Sequence, residues 1–318
     1  MDYRNVIRKN NIRTRLVVVS YIFIMLIVGL LVDTATHPDE WGGFFENMLA
    51  FATFKRFPVA TLIILGLTFL GLIYIHFRGH KMMLAGMNAK EITAENASTA
   101  EEKQLYNILE ELSLSATLRY VPRLYILDSD EPNAFAAGWS AKNALVGVTR
   151  GLLQTLNRHE IQAVMAHEVG HIIHGDSKLT LYVGILANVI LTITNIVSQI
   201  FIRTAGRSRN SASNKAQVVL LALNFILPWI TQILYFYLSR TREYMADAAA
   251  VDLTTDNQAM ISALRKISGQ HEKTDYDHSS IGDAYRSAAY IFNKGDSVFS
   301  THPSIENRIA ALEGRKTF

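Results

Sequence analysis

The run His167-Glu168-Val169-Gly170-His171 sets two imidazoles four residues apart, with a carboxylate next to the first. On a helix, positions i and i+4 share a face, so both rings reach one metal ion, and the glutamate points nearer the open side where water binds. A zinc ion lowers the pKa of such a water to about 7, and the carboxylate takes its proton as the oxygen attacks a carbonyl carbon. That chemistry is metal-assisted hydrolysis. A polar helix face that happens to carry two histidines has the same letters. The pattern arises by chance in roughly one or two of a hundred chains of this length and composition, so a third ligand has to decide.

The chain has no cysteine, which excludes thiolate ligands, disulfides and a thiol nucleophile and leaves nitrogen and oxygen to hold any metal. His174 follows His171 by three residues, but its helical offset carries it past the metal, and the position ten after His167 is Ser177. Glu243, in Ser239-Arg240-Thr241-Arg242-Glu243-Tyr244-Met245-Ala246-Asp247, is the better third ligand. Asp247, one helical turn on, shares its face and is placed to accept the remaining N–H of a ligand histidine. The bland alternative is that Glu243 and Asp247 pair with Arg240 and Arg242 on a solvated face.

The elements that must position these residues are legible in part. Asn157-Arg158-His159-Glu160 has capping-box spacing, which predicts a helix starting at Asn157 and running through the motif toward His174. Ala100–Leu114 carries Leu105, Ile108, Leu109 and Leu112 at helical spacing and reads as an amphipathic helix. Val121–Leu127, Asn133–Gly138 and Ala144–Thr149 are short, β-prone and separated by turn chemistry, which predicts a small sheet.

Of 318 residues, 49% are apolar and 19% charged, a balance shifted toward lipid as part of the solvent. The net charge of +3 offers no strongly basic surface for nucleic acid. Four apolar runs stand out: Leu16–Val32, Phe57–Phe77, Leu179–Ile202 and Val218–Leu238. Each is long enough for a bilayer crossing, which needs about 17–25 residues. Arg4, Arg8, Lys9, Arg13 and Arg15 precede the first run and predict a cytoplasmic N-terminus, with the run retained as an anchor. The third run carries Asn188, Thr192, Asn195 and Gln199 along one face, which suits interhelical hydrogen bonding or a wet chamber. The loop Arg203–Gln217 is basic, so if both later runs cross, the positive-inside bias is overridden, and otherwise the pair dips into the membrane without crossing. If they form a hairpin, Glu243 returns to the membrane edge that the histidines occupy.

The four runs, the motif after the second of them and Glu243-to-Asp247 after the fourth resemble the HtpX membrane metalloproteases, gluzincins related to the CAAX prenyl proteases. The resemblance extends to Thr301-His302-Pro303. It implies one Zn2+ per chain on His167, His171 and Glu243, with Glu168 as general base and Asp247 behind the ligands. It also implies that Asn133, Ala134 and Phe135, with Ala136, lie on an edge strand to which an extended substrate adds, and that His302 and Arg308 stabilise the tetrahedral oxyanion. Ala137 departs from the hydroxyl residue common there. The implied fold is mainly α and integral to the membrane: four hydrophobic helices and a cytoplasmic, zincin-like α+β catalytic domain carrying a small sheet. Residues 1–77 form the N-terminal anchor, 78–178 the first catalytic part, 179–238 the hydrophobic hairpin and 239–318 the second catalytic part.

The implied activity is ATP-independent endoproteolysis of misfolded or damaged membrane proteins. It is placed in the bacterial inner membrane, multi-pass, with the active site toward the cytoplasm. Expected partners are polypeptide substrates, the lipid bilayer and other membrane quality-control proteases, with no nucleic acid. No P-loop glycine motif suggests ATP use by the chain itself. Competing readings are narrow processing of one class of modified peptide, a membrane transporter or channel subunit built on the amide face, and an inactive membrane-bound binder of unfolded segments.

Overall fold

The computed structural model describes residues 3–36, 43–187, 189–190, 229, 238, 240–274, 276, 289–291 and 303–315. The chain divides into two compact units. One comprises Met1–Thr14, Arg78–Gly184 and Phe236–Phe318, and the other comprises Arg15–Phe77 and Ile185–Tyr235.

The second of these holds most of α1 (Tyr3–Thr36) and of α3 (Val59–Met82), with the short α2 (Phe44–Ala52) between them in sequence. Both long helices are apolar enough to cross a membrane, over Asn5–Thr34 and Val59–Met82. A soluble core helix hides its large apolar side chains, but α3 exposes Leu67, Phe69, Leu70, Ile73 and Phe77, which suits lipid rather than water. Where α3 begins, its orphan N–H groups need acceptors. The buried Asp33 of α1 supplies them, accepting from Ala60 N at 2.9 Å, from Thr61 N at 2.8 Å and from Thr61 Oγ1 at 2.6 Å. Gly29 makes this close approach possible, since a Cβ there would lie 2.6 Å from Thr61 Cα.

The third apolar run opens with α7 (Ser177–Ala187). The rest of it beyond residue 190, including Thr192, Asn195 and Gln199, lies outside the described residues, as do Asn188 and nearly all of the fourth run. Among the described residues, therefore, two helices have the length and composition of a membrane span.

The first unit holds the sheet. Its strands are β1 (Ala89–Ile92), β2 (Arg123–Leu127), β3 (Ala134–Ala137) and β4 (Leu145–Thr149), in spatial order β1-β2-β4-β3. β2 and β4 run parallel, from Arg123 opposite Leu145 to Leu127 opposite Thr149, and the two outer strands pair antiparallel to them. Gly147 of β4 leaves room for the Phe135 ring, which a Cβ would meet at 2.7 Å. The expected strands are present within two residues of their predicted starts, and β1 is an addition to them.

Two helices pack on the sheet. α4 (Ala100–Ser115) is closed at its start by a capping box between Thr99 and Glu102, and it buries Leu105, Ile108, Leu109 and Leu112. α6 (Arg158–His174) follows the short α5 (Arg150–Thr155) and contributes Ile161, Val164, Met165 and Val169 to the same core. α8 (Thr241–Thr254), α9 (Asn257–Lys273) and α10 (Ile305–Leu312) belong to the same unit. α6 and α8 approach closely because small residues face each other. A Cβ on Gly170 would stand 3.0 Å from Ala249 Cβ and 3.3 Å from Ala246 Cα.

Candidate metal centre

The motif lies on α6, whose start is fixed by a reciprocal cap. Asn157 Oδ1 accepts from Glu160 N at 3.1 Å, and Glu160 Oε2 accepts from Asn157 N at 2.7 Å. Glu160 is further tied to Ser262 and Lys266 of α9. The helix stops at Gly175, which takes the left-handed conformation at φ 67°. Between these ends His167 and Glu168 are fully buried and His171 nearly so.

From α8, Glu243 and Asp247 turn into the same space, each nearly solvent-free at 1% and 2% exposure. That removes the alternative in which they form a solvated face with neighbouring arginines. His167 Nε2 lies 3.1 Å from His171 Nε2, and the Glu243 oxygens lie 3.7 Å from His167 Nε2 and 3.9 Å from His171 Nε2. One ligand atom from each of the three falls within 4.8 Å of the others. Two nitrogens bound to a tetrahedral Zn2+ at about 2.0–2.1 Å sit about 3.3 Å apart, close to the separation of the two Nε2 atoms. This donor set of two imidazoles and a carboxylate fits a divalent metal.

Behind the ligands stands a second layer of carboxylates. His167 Nδ1 lies 2.9 Å from Asp247 Oδ1, and His171 Nδ1 lies 3.0 Å from Asp176 Oδ1. Asp247 is itself held by the Arg308 guanidinium of α10, which also donates to Ile291 O at 3.0 Å. Burial works against charge on His167, but the Asp247 and Glu243 carboxylates outweigh it and hold its pKa above the usual imidazole value. For Asp247 burial acts upward, yet the adjacent Arg308 prevails and keeps the carboxyl below its ordinary range.

Glu168 is different. Its carboxylate is buried, neither oxygen has a hydrogen-bond partner of good geometry among the described residues, and burial pushes its pKa up to about 8. The histidine at 171 and the Ala136 backbone N–H pull in the other direction, toward the charged form. This buried carboxylate is next in sequence to His167 and lies close enough to His171 to feel its charge.

Asn133, Ala134 and Phe135 are completely buried on and beside the edge strand β3. Asn133 is fastened by its amide to Glu131 at 3.0 Å and by its backbone to Thr149 Oγ1 at 2.9 Å. The outer edge of β3 carries a bridge from Phe135 to Tyr290, and Ile291 N donates to Ala134 O at 3.0 Å. This edge is therefore met, at Phe135 and Ala134, by Tyr290 and Ile291 of the chain itself. His302 lies outside the described residues. His174 is buried at the end of α6, where its carbonyl accepts from Asn10 Nδ2 at 3.1 Å. Asp176 went unread in the sequence because it falls beyond the glycine that ends α6, where helical spacing no longer places residues. The only sequence signal was an aspartate five positions after the second histidine.

Comparison with known proteins bears on this arrangement. The profile of Peptidase family M48 matches residues 99–316. The "Protease HtpX homolog" of Helicobacter acinonychis (strain Sheeba) is 39% identical over 316 residues, covering 99% of each chain. That of Helicobacter pylori (strain Shi470) is 39% identical over 318 residues with the same coverage, and that of Listeria monocytogenes serotype 4a (strain HCC23) is 30% identical over 319 residues, covering 96% of this chain and 98% of the relative. The crystal structure of S. mikatae Ste24p overlaps at a TM-score of 0.46 with 18% identity, over 84% of this chain and 64% of that one. The match of the M48 profile across both helices of the buried cluster, with the near-complete overlap with HtpX homologues, means that the chain belongs to peptidase family M48 as a membrane metalloprotease of the HtpX type.

Proposed function

We propose that the protein is a zinc endopeptidase of the bacterial inner membrane, multi-pass, which cuts misfolded or damaged membrane proteins on the cytoplasmic side without ATP. The observation that carries this reading is the convergence of His167, His171 and Glu243 within 4.8 Å beside the buried Glu168. The three side chains would hold one zinc ion, which when bound supplies the Lewis acidity that polarises a carbonyl and acidifies water. Glu168 accepts a proton from the attacking water and delivers it to the nitrogen of the departing amine as the C–N bond breaks. Arg308 holds Asp247, and Asp247 holds the His167 ring, so two ligands on different helices keep a fixed relation. An extended substrate adds along the β3 edge in place of the chain's own Tyr290 and Ile291, and backbone pairing of that kind tolerates many sequences.

The test compares the purified, detergent-solubilised chain with Glu168→Gln, each stripped by chelator and resupplied with zinc, on an unfolded protein substrate. Restored cutting in the parent, with a loss of about 10²–10⁴-fold in the variant, is the expected result. Equal cutting by both would remove Glu168 from the chemistry, and failure of either to bind zinc would remove the metal.

A further inference from the structure

Each of the two imidazoles presents Nε2 to the shared centre and Nδ1 to a carboxylate. For His167 the carboxylate is Asp247, which belongs to the helix carrying Glu243. For His171 it is Asp176, which stands between the Gly175 stop of α6 and Ser177, the first residue of α7. An aspartate just before a helix ordinarily turns its side chain onto the N–H groups of that helix. Here both oxygens face the imidazole instead, at 3.0 and 3.2 Å, and the residue is 1% exposed.

The main chain of Asp176 is equally engaged. Its N–H donates to His171 O at 3.2 Å, and its carbonyl accepts from Thr180 N at 2.9 Å and from Thr180 Oγ1 at 3.1 Å. Thr180 Oγ1 in turn accepts from Arg242 Nη1, and Arg242 Nε lies 3.2 Å from Glu243 Oε1. The entrance to α7 thus meets one proposed ligand through Asp176 and a second through Thr180 and an arginine.

We propose that Asp176 is a positioning residue for the metal, fixing the ring plane and tautomer of His171 from the entrance of the third apolar segment. The proposal rests on the metal reading of the site. An imidazole that donates Nδ1–H to a carboxylate keeps its Nε2 lone pair free and aimed, and loss of such a partner costs about 10–100-fold in metal affinity. By this geometry, metal affinity depends on how the third apolar segment begins, a dependence that Asp247 does not create.

The experiment uses the full chain in detergent, metal-free, as parent, Asp176→Asn and Asp176→Ala. Zinc affinity is read by competition with a chromogenic chelator, and the ligand field by the visible absorption of bound Co2+. The expected result is binding about 10–100-fold weaker in Asp176→Ala with a shifted Co2+ band. Asp176→Asn, which keeps an acceptor oxygen in place, recovers most of the affinity and the parental band. Parental affinity and spectrum in Asp176→Ala would overturn the proposal. So would equal losses in both variants accompanied by equally early melting of their metal-free forms, which would mark a role in folding alone. If the parent binds neither ion, the metal reading itself fails, and the proposal with it.

Discussion

Arg308 grips Asp247 through two parallel hydrogen bonds, Nη2 to Oδ1 at 2.6 Å and Nε to Oδ2 at 2.9 Å, with both side chains out of solvent. The guanidinium fork matches a carboxylate in a way that no lysine can. Arg308→Ala would leave Asp247 as an uncompensated buried charge, and the destabilisation expected for breaking a buried pair is about 3–5 kcal/mol. Thermal unfolding of the detergent-solubilised chain should show it, with Arg308→Lys falling short of full recovery. Melting of Arg308→Ala at the parental temperature would contradict this account.

Close packing of α6 on α8 depends on Gly170. Gly170→Val places branched carbon where Ala249 and Ala246 already stand, at 3.0 and 3.3 Å from even a lone Cβ. Overpacking of this kind costs about 1–3 kcal/mol, and here it also moves Glu243 away from the histidines. Melting temperature and zinc affinity should therefore fall together. Gly170→Ala should show a small fraction of the effect.

Acid sensitivity should have a component at Glu102. A hydrogen bond from Lys90, joined by the Ser98 and Thr99 backbone N–H groups, holds its pKa down to about 2 from an ordinary 4.5. A depressed carboxyl stabilises the fold above its unfolded pKa, and that contribution is lost as pH falls through the folded value. The melting-temperature gap between the parent and Glu102→Gln should be constant from pH 7 to about pH 5 and then narrow toward pH 2. A gap that does not change with pH would show that the carboxylate charge is not what holds the cap.

Asp33 makes a comparable prediction for the membrane hairpin. Removal of a side-chain acceptor at a helix N-terminus costs about 0.5–2 kcal/mol in soluble proteins. Asp33→Ala leaves the Ala60 and Thr61 N–H groups without that acceptor, so residues 15–77 should become easier to cleave by protease in detergent. Asp33→Asn should fall between the two.

The parts of this fold that could be read in advance are those governed by local rules. Asn157 and Glu160 announce the start of α6, and Leu105, Ile108, Leu109 and Leu112 trace one face of α4 over the span found. Helical spacing puts His167 and His171 on one face, and Glu243 joins them from a separate helix 72 positions after His171. β1 escaped because Ala89-Lys90-Glu91-Ile92 has neither alternation nor β-branched density, and only its pairing with β2 makes it a strand. α9 is a different case, because its local signal is present: Asp256 caps it, and Met260, Ala263, Leu264 and Ile267 fall on one helical face. Asp176 illustrates a different limit, since its contact with His171 depends on the left-handed turn at Gly175 and not on any periodicity.

The scattering of the centre along the chain has a consequence for biosynthesis. His167 and Arg308 meet at 3.4 Å although 141 positions separate them. During synthesis α6 can form with both imidazoles and Glu168 while Glu243 and Arg308 are still unmade. The third and fourth apolar runs are translated in that interval, so the chain reaches the bilayer before it holds a complete ligand set. An unfinished chain that ends before residue 243 therefore carries both imidazoles and Glu168 without the carboxylate that completes the cluster.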